Sequence, residues 1–303
     1  MNNRYNDLNS YFRKAFGCRV QKISIDGGFS CPNRDGSIST DGCIFCNQKG
    51  SGTGAYAKGL TISEQIQNGQ KFIARRYKAK KFLAYFQAFS NTYAPCSHLK
   101  KIYDEALQQD KIVGLSLGTR PDCVDESVLN LLQEYARDYL VWIEYGLQSV
   151  HDETLLKINR GHDFKTFAKA VEATKNRGIK ICAHVILGLP GENRDHMLKT
   201  AEIISKIGID GIKIHLLYVI KGTKLETLYN SGKYKCLGPE EYATIVCDFL
   251  EIIPRSIVIQ RLTGDPHPDE LVAPAWSLDR NSTFKLIKEI LEKRDSWQGK
   301  FTP

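Results

Sequence analysis

The sequence predicts an α/β fold, specifically a partial (β/α)6-type TIM barrel with parallel strands and a C-terminal extension. Two observations predict this. Short runs rich in Val, Ile and Tyr alternate with longer stretches whose apolar residues recur at 3.6-residue spacing, the pattern of a parallel sheet covered by helices. Six or seven such units are present, which suits an open or incomplete barrel better than a closed eight-stranded one, and no internal repeat is visible.

Residues 1–20 are polar and aromatic, with RKAFG reading as a short helix that ends at Gly17. The strand candidates follow as Gln21–Asp26, Lys81–Phe89, Ile112–Gly118, Leu140–Gly146, Lys180–Leu187, Gly211–Val219 and Ser256–Arg261. Helical periodicity covers Thr61–Tyr77, Leu99–Gln108, Glu126–Arg137, Phe164–Arg177, His196–Ile207, Glu240–Ile252 and a final Ser282–Lys293. Ser63 gives weak capping character to the first of these helices. Asp163 precedes the FKTFAKAVEATKNRG run and Gly178 terminates it. Lys221–Leu237 reads as a polar excursion, GDPHPDELVAPAWSLDRN as a long ordered loop, and SWQGKFTP as a fraying tail or surface arm. The domain reading is an N-terminal extension (1–20), a partial barrel (21–261) and a C-terminal loop and helix completing it (262–303).

With 303 residues and evenly spread apolar segments, one main domain is expected. Lys and Arg total 42 against 34 Asp and Glu, a formal charge of +8 that favours a polyanionic partner. Nine cysteines in a chain of this length, an odd count with no leader pattern, point to a reducing cytoplasm with free or metal-bound thiols. No apolar run approaches the roughly 20 residues that span a bilayer, so no membrane role is expected.

Cys31, Cys43 and Cys46 lie in one glycine-bearing polar stretch, IDGGFSCPNRDGSISTDGCIFCNQKGSGTG, just beyond the first strand. In a parallel α/β arrangement that is the carboxyl end of the sheet, where such folds build their sites. The spacing is C-x11-C-x2-C. Three thiolates without a nearby fourth ligand favour a [4Fe–4S] cluster with one iron left for another molecule. A structural zinc site, the competing reading, ordinarily closes with a fourth Cys or His. The surrounding glycines permit tight turns and let backbone N–H groups approach cluster sulfurs.

This loop, followed by CIFCNQKGSG, resembles the radical S-adenosylmethionine enzymes. The common C-x3-C-x2-C spacing is absent, and the longer first gap is similar to a bacterial subfamily related to the oxygen-independent coproporphyrinogen oxidases and the Elongator catalytic subunit. GTRPDCV (118–124), IEYGLQSVHDETLLKINRGH (143–162) and ILGLPGE (186–192) follow in the order the resemblance requires. The resemblance implies a [4Fe–4S] cluster on Cys31, Cys43 and Cys46 and S-adenosyl-L-methionine as cofactor. It further implies a reducing partner such as flavodoxin or ferredoxin.

By the same similarity Glu144 or Gln148 contacts the ribose, Arg160 holds the nucleotide's carboxylate, and the turn at Leu187 lines the adenine pocket. The Gly-Gly-Glu-like stretch of many members is replaced by AYFQAFSNTYAP, leaving Gln87, Ser90 and Asn91 to supply polar contacts there. Members of this subfamily in Gram-positive bacteria are associated with the wobble uridine of tRNA, converting its 5-carboxymethylaminomethyl group, with or without 2-thiolation, to 5-aminomethyl.

Candidates for chemistry at the later strand ends are His215, Lys221 and Arg261, the cations to receive a carboxylate or phosphate and the histidine to move a proton. Arg75, Arg76, Lys78 and Lys80 in IARRYKAKK, with Phe72 and Tyr77 interleaved, are the candidate nucleic-acid surface, although a solvated helix end has the same composition. Two other functions compete with the tRNA reading. One is a radical enzyme acting on a small anionic or porphyrin-like molecule, and the other is a zinc-stabilised RNA-binding module.

Overall fold

A computed structural model describes residues 4–50, 52 and 54–302. Of the N-terminal extension, residues 1–3 lie outside the described residues.

In chain order the elements are α1 (Leu8–Phe16), β1 (Val20–Ile25), α2 (Ile62–Tyr77), β2 (Lys81–Phe86), α3 (Cys96–Leu107), β3 (Ile112–Thr119), α4 (Glu126–Tyr135) and β4 (Leu140–Gln148). Then come α5 (Asp152–Lys157), α6 (Phe164–Thr174), β5 (Lys180–Leu187), α7 (Arg194–Ile204), β6 (Gly211–Leu216), β7 (Val219–Ile220), α8 (Lys224–Asn230), α9 (Pro239–Ile252), β8 (Val258–Arg261), β9 (Leu271–Ala273) and α10 (Arg280–Lys293). Seven strands form one parallel sheet in the order β1-β2-β3-β4-β5-β6-β8, curled into a half-barrel. Sequential order with a helical crossover between neighbours is the partial TIM-barrel arrangement that the alternating pattern predicts.

Local chemistry fixes the helix ends. Thr61, rather than Ser63, caps α2: its side chain accepts from the Glu64 N–H and Glu64 reaches back to Thr61, a capping box. Such a cap contributes about 1 kcal/mol. Asp163 caps α6 as expected, but that helix stops at Thr174, four residues before Gly178. The excursion after β6 contains α8, and the proline-rich loop contributes β9, which pairs antiparallel with β7. The C-terminal tail is packed rather than frayed. Gln298 is buried and donates to the carbonyls of Pro254 and Ile257, and Phe301 N–H donates to Glu251.

Side chains alternate across each strand. The outward set, including Ile23, Ile25, Phe86, Leu117, Ile143, Ala183 and Ile214, makes the main core beneath the helices. The inward set is stratified. At the amino end Val20, Leu83, Trp142, Cys182 and Val258 cluster with Phe12 of α1, which plugs the barrel. One residue pair further along the strands, the interior changes to Lys22, Tyr85, Ser116, Glu144, His184, Lys213 and Gln260, joined by hydrogen bonds. Beyond this polar layer the interior opens into a cavity at the carboxyl ends of the strands. Among the described residues no helix is long and apolar enough to cross a membrane.

Candidate active site

The cavity encloses about 430 Å³ and is ringed by residues from every strand of the large sheet, from Ser24 near the end of β1 to Arg261 at the end of β8. Cys31, Cys43 and Cys46 all line it. The loop that carries them is held from outside. Ile44 N–H donates to Ile158 and Ile44 C=O accepts from Leu225 N–H, tying the loop to the α5–α6 connection and to α8. Asn33 Nδ2 donates to the Asn159 carbonyl at 2.6 Å, and Asn159 Nδ2 returns a bond to Gly42 at 2.7 Å. Gly161, at φ +73°, permits this docking, since a Cβ there would stand 2.8 Å from Asn33 Oδ1.

Donors surround the sulfurs. Arg160 Nη1 lies 3.6 Å from Cys43 Sγ, Asn33 Nδ2 3.7 Å from the same atom, and Arg34 Nη1 3.6 Å from Cys46 Sγ. Burial pushes the Cys46 thiol up to about 11, Cys43 beside it adding to the rise and Arg34 opposing it. A thiol held protonated in this way releases its proton when a metal takes its place, and nearby cations favour that exchange. Among the described residues no three His, Cys, Asp or Glu side chains form a group that holds a metal ion as they stand. The donor set nonetheless suits a cluster: three thiols on one cavity rim, N–H donors on two of the sulfurs, and open space beside them.

Below the cysteines, Glu144 is completely buried at the centre of the polar layer. One carboxylate oxygen accepts from Lys22 and Ser116, the other from Lys213 and from His184 Nε2 at 2.8 Å. Lys22 also donates to Gln260 at 2.7 Å, and Lys213 to the Tyr85 hydroxyl at 2.9 Å. Burial alone would raise the Glu144 pKa, yet Lys213 and Lys22 hold it well below the usual carboxylate range. Burial lowers both lysines, with Glu144 opposing. It also drives His184 down to about 4, Lys213 adding to the effect, so the imidazole is neutral at pH 7. His215, its ring centroid 5.2 Å from that of His184, is likewise held well below its ordinary value by burial and by the neighbouring His184 and Arg261.

The geometry rearranges several sequence expectations. Gln148, Gln87, Arg160, His215 and Arg261 all line the cavity with the cysteines. Glu144 lines it too, but its oxygens already accept four side-chain donors, which leaves little acceptor capacity for a ribose. Arg160 is half committed: Nε and Nη2 donate to the Gly146 carbonyl at 3.2 and 2.7 Å, clamping the end of β4. Gly146 makes that clamp possible, because a Cβ there would meet Arg160 Nη2 at 2.6 Å.

Asn91 and Leu187 are outside the cavity lining. Asn91 Nδ2 donates to the Gly118 carbonyl at 2.6 Å, and Leu187 sits in the outer core with its β-strand neighbours. Lys221 is outside as well, its ammonium donating to the Asp269 carbonyl at 2.7 Å on the surface.

Arg75, Arg76, Lys78 and Lys80 are exposed at the other end of the sheet. Helix α2 runs back against the strands, so its last turn meets the start of β1: Arg19 donates to Tyr77 C=O and accepts from Lys80 N–H. Six strand residues, about 20 Å, separate that edge from the cavity.

Sequence reasoning missed Lys22, Lys213, Ser116 and Arg120. Arg120 is buried, makes a two-point ion pair with Asp122, and donates to the Arg160 carbonyl at 2.7 Å. A signal for the lysines was present: VQKISI and GIKIHL each place a Lys inside an apolar strand, where burial demands a partner.

Comparison with known proteins decides the family. The model described as "Radical SAM superfamily" matches residues 31–204, and the "Radical_SAM C-terminal domain" matches 209–293. The chain belongs to the radical SAM superfamily. It is therefore an enzyme that uses a [4Fe–4S] cluster and S-adenosylmethionine, and the zinc-module alternative is set aside. Uncharacterized protein YtqA of Bacillus subtilis is 41% identical over 298 residues, 98% of this chain and 92% of that protein. A tRNA uridine(34) acetyltransferase of Methanocaldococcus infernus is 26% identical over 187 residues, 61% of this chain and 34% of that protein. Among solved structures, an archaeal Elp3 from Methanocaldococcus infernus superposes with a TM-score of 0.72 at 18% identity, covering 92% of this chain and 64% of that one. At that identity the superposition speaks to the fold.

Proposed function

We propose that this radical SAM enzyme acts on the wobble uridine of tRNA, converting the 5-carboxymethylaminomethyl group to 5-aminomethyl. The observation that carries the reading is the sequence match, over 187 residues, to a protein named for action on tRNA uridine 34. The formal charge of +8 supports a polyanionic substrate. In this reading Cys31, Cys43 and Cys46 hold the cluster, which supplies the reducing electron for radical formation from S-adenosylmethionine when both are bound. Gln148, Gln87 and Ser90 offer polar groups to the nucleotide, and the free N–H groups of Arg160 suit its carboxylate.

The chain's own contribution is positional. The half-barrel walls and the docked cysteine loop keep bulk water from the reacting carbon, and the neutral histidines offer N–H donors without adding charge. The test is anaerobic reconstitution followed by nucleoside analysis of tRNA from cells with and without the gene. We expect about four irons per chain, their loss in Cys43→Ser, and accumulation of the carboxymethylaminomethyl nucleoside in the deletion strain. An unchanged wobble-nucleoside profile overturns the proposal.

A further inference from the structure

Four arginines line the cavity, and three of them are engaged: Arg34 and Arg160 by backbone carbonyls and cysteine sulfurs, Arg120 by Asp122. Among the described residues Arg261 has no hydrogen-bond or ion-pair partner, although it lines the cavity at the end of β8. The acids that line the cavity with it are committed elsewhere. Asp265 pairs with Arg280 at 2.9 Å, Glu270 with Lys49 and with Asn47 Nδ2, and Glu144 with the layer below.

The layer beneath adds to the imbalance. Lys22 and Lys213 face the single carboxylate of Glu144, and the histidines between them are neutral, so with Arg261 three cations stand against one anion. His215 Nε2 is buried and has no hydrogen-bond partner among the described residues. An enclosed surplus of positive charge is costly until an anion enters. A guanidinium beside an unpaired imbalance of this kind suits a carboxylate, which it grips through two parallel N–H bonds.

We infer that Arg261, assisted by His215, is the seat for the carboxylate that terminates the substrate's reacting side chain, and so the residue that selects for that group. The identity of the carrier rests on the wobble-uridine reading; the seat itself does not. In the bound arrangement the substrate's carboxylate is fixed at the β8 end of the cavity that Cys31, Cys43 and Cys46 also line.

Two measurements on the reconstituted holoenzyme test this. In the first, N-methylglycine, a small mimic of the carboxymethylamino group, is titrated and followed by saturation-transfer NMR, with N-methylglycinamide, which keeps the amine and lacks the carboxylate, as the control. Wild type binds the acid over the amide, and Arg261→Gln weakens the acid by about ten- to a hundredfold, the loss of charge-assisted hydrogen bonds. Arg261→Lys recovers part of that loss by restoring charge without the fork. In the second, tRNA carrying the carboxymethylaminomethyl group is the substrate, and Arg261→Gln raises KM by a similar factor while Arg261→Lys regains part of it. Iron content and melting temperature report that each variant is folded and loaded.

Equal binding of acid and amide by wild type, or binding and KM unchanged in Arg261→Gln, overturns the seat. If tRNA proves not to be a substrate while N-methylglycine binding still depends on Arg261, the wobble-uridine reading falls and the seat stands.

Discussion

Replacing Glu144 by Gln keeps the shape of the polar layer but removes the carboxylate that, among the described residues, pairs with both Lys22 and Lys213. Breaking a buried ion pair by deleting one partner costs about 3–5 kcal/mol. The structure sets an independent ceiling. The variant can escape by releasing a lysine proton, and at pH 7 that costs about 1.4 kcal/mol for each of roughly three and a half units below the unperturbed lysine value, about 5 kcal/mol in all. Both routes give the same scale. Lys213→Met should cost less, about 1–2 kcal/mol, because it loses the Lys213 bonds to Glu144 and Tyr85 but leaves Lys22 and Glu144 as a matched pair with no buried charge uncompensated.

The pH dependence follows from the direction of the shifts. Lysines whose folded pKa is lowered bind fewer protons folded than unfolded at alkaline pH, so stability rises with pH up to the unfolded lysine value. The effect is steeper in Glu144→Gln, where no carboxylate keeps the ammonium groups charged. The deficit should shrink from about 3–5 kcal/mol at pH 7 to about 1–2 at pH 9.5. On the acid side the slope has the same sign. Glu144's depressed folded pKa gives wild type a contribution that is present above the unfolded carboxylate value and lost as pH falls through the folded one. Urea unfolding followed by circular dichroism at pH 7 and pH 9.5 measures this. A Glu144→Gln deficit below 1 kcal/mol, a deficit equal at the two pH values, or a Lys213→Met cost matching that of Glu144→Gln refutes the reasoning.

Gly161→Ala should destabilise the docked cysteine loop by about 1–3 kcal/mol through its positive φ and the Asn33 contact, seen as faster hydrogen exchange at residues 31–46; unchanged exchange counts against the docking role. Reversing the charges of Arg75, Arg76, Lys78 and Lys80 together should leave KM for tRNA within about twofold at moderate salt, because these residues sit about 20 Å from the cavity edge, beyond the Debye length. A tenfold rise in KM would show that the RNA wraps to the far end of the barrel.

Legibility in the sequence followed the range of the interaction involved. The strands were readable to within a few residues, since burial on both faces writes a local Val, Ile and Tyr signature. Thr61 was harder than Asp163 as a cap, because two hydroxyl residues compete at the start of α2 and only the reciprocal Glu64 contact selects one. The basic run at 75–80 was visible, but its distance from the site was not, since that depends on α2 running antiparallel to its strands. Asn91 and Lys221 were plausible site residues by position in the chain. Side-chain direction alone sent one to the Gly118 carbonyl and the other to Asp269.

The sequence by itself determined the α/β alternation and the trio of thiols beyond the first strand, because periodicity and spacing along one chain segment carry both. Tertiary structure alone decided that Lys22, Glu144, His184 and Lys213 share one buried layer while Arg261, beyond them along the strands, has no ion-pair partner among the described residues. These residues come from strands far apart in the chain. Their charges become neighbours only when the sheet curls and removes the water that would otherwise screen them.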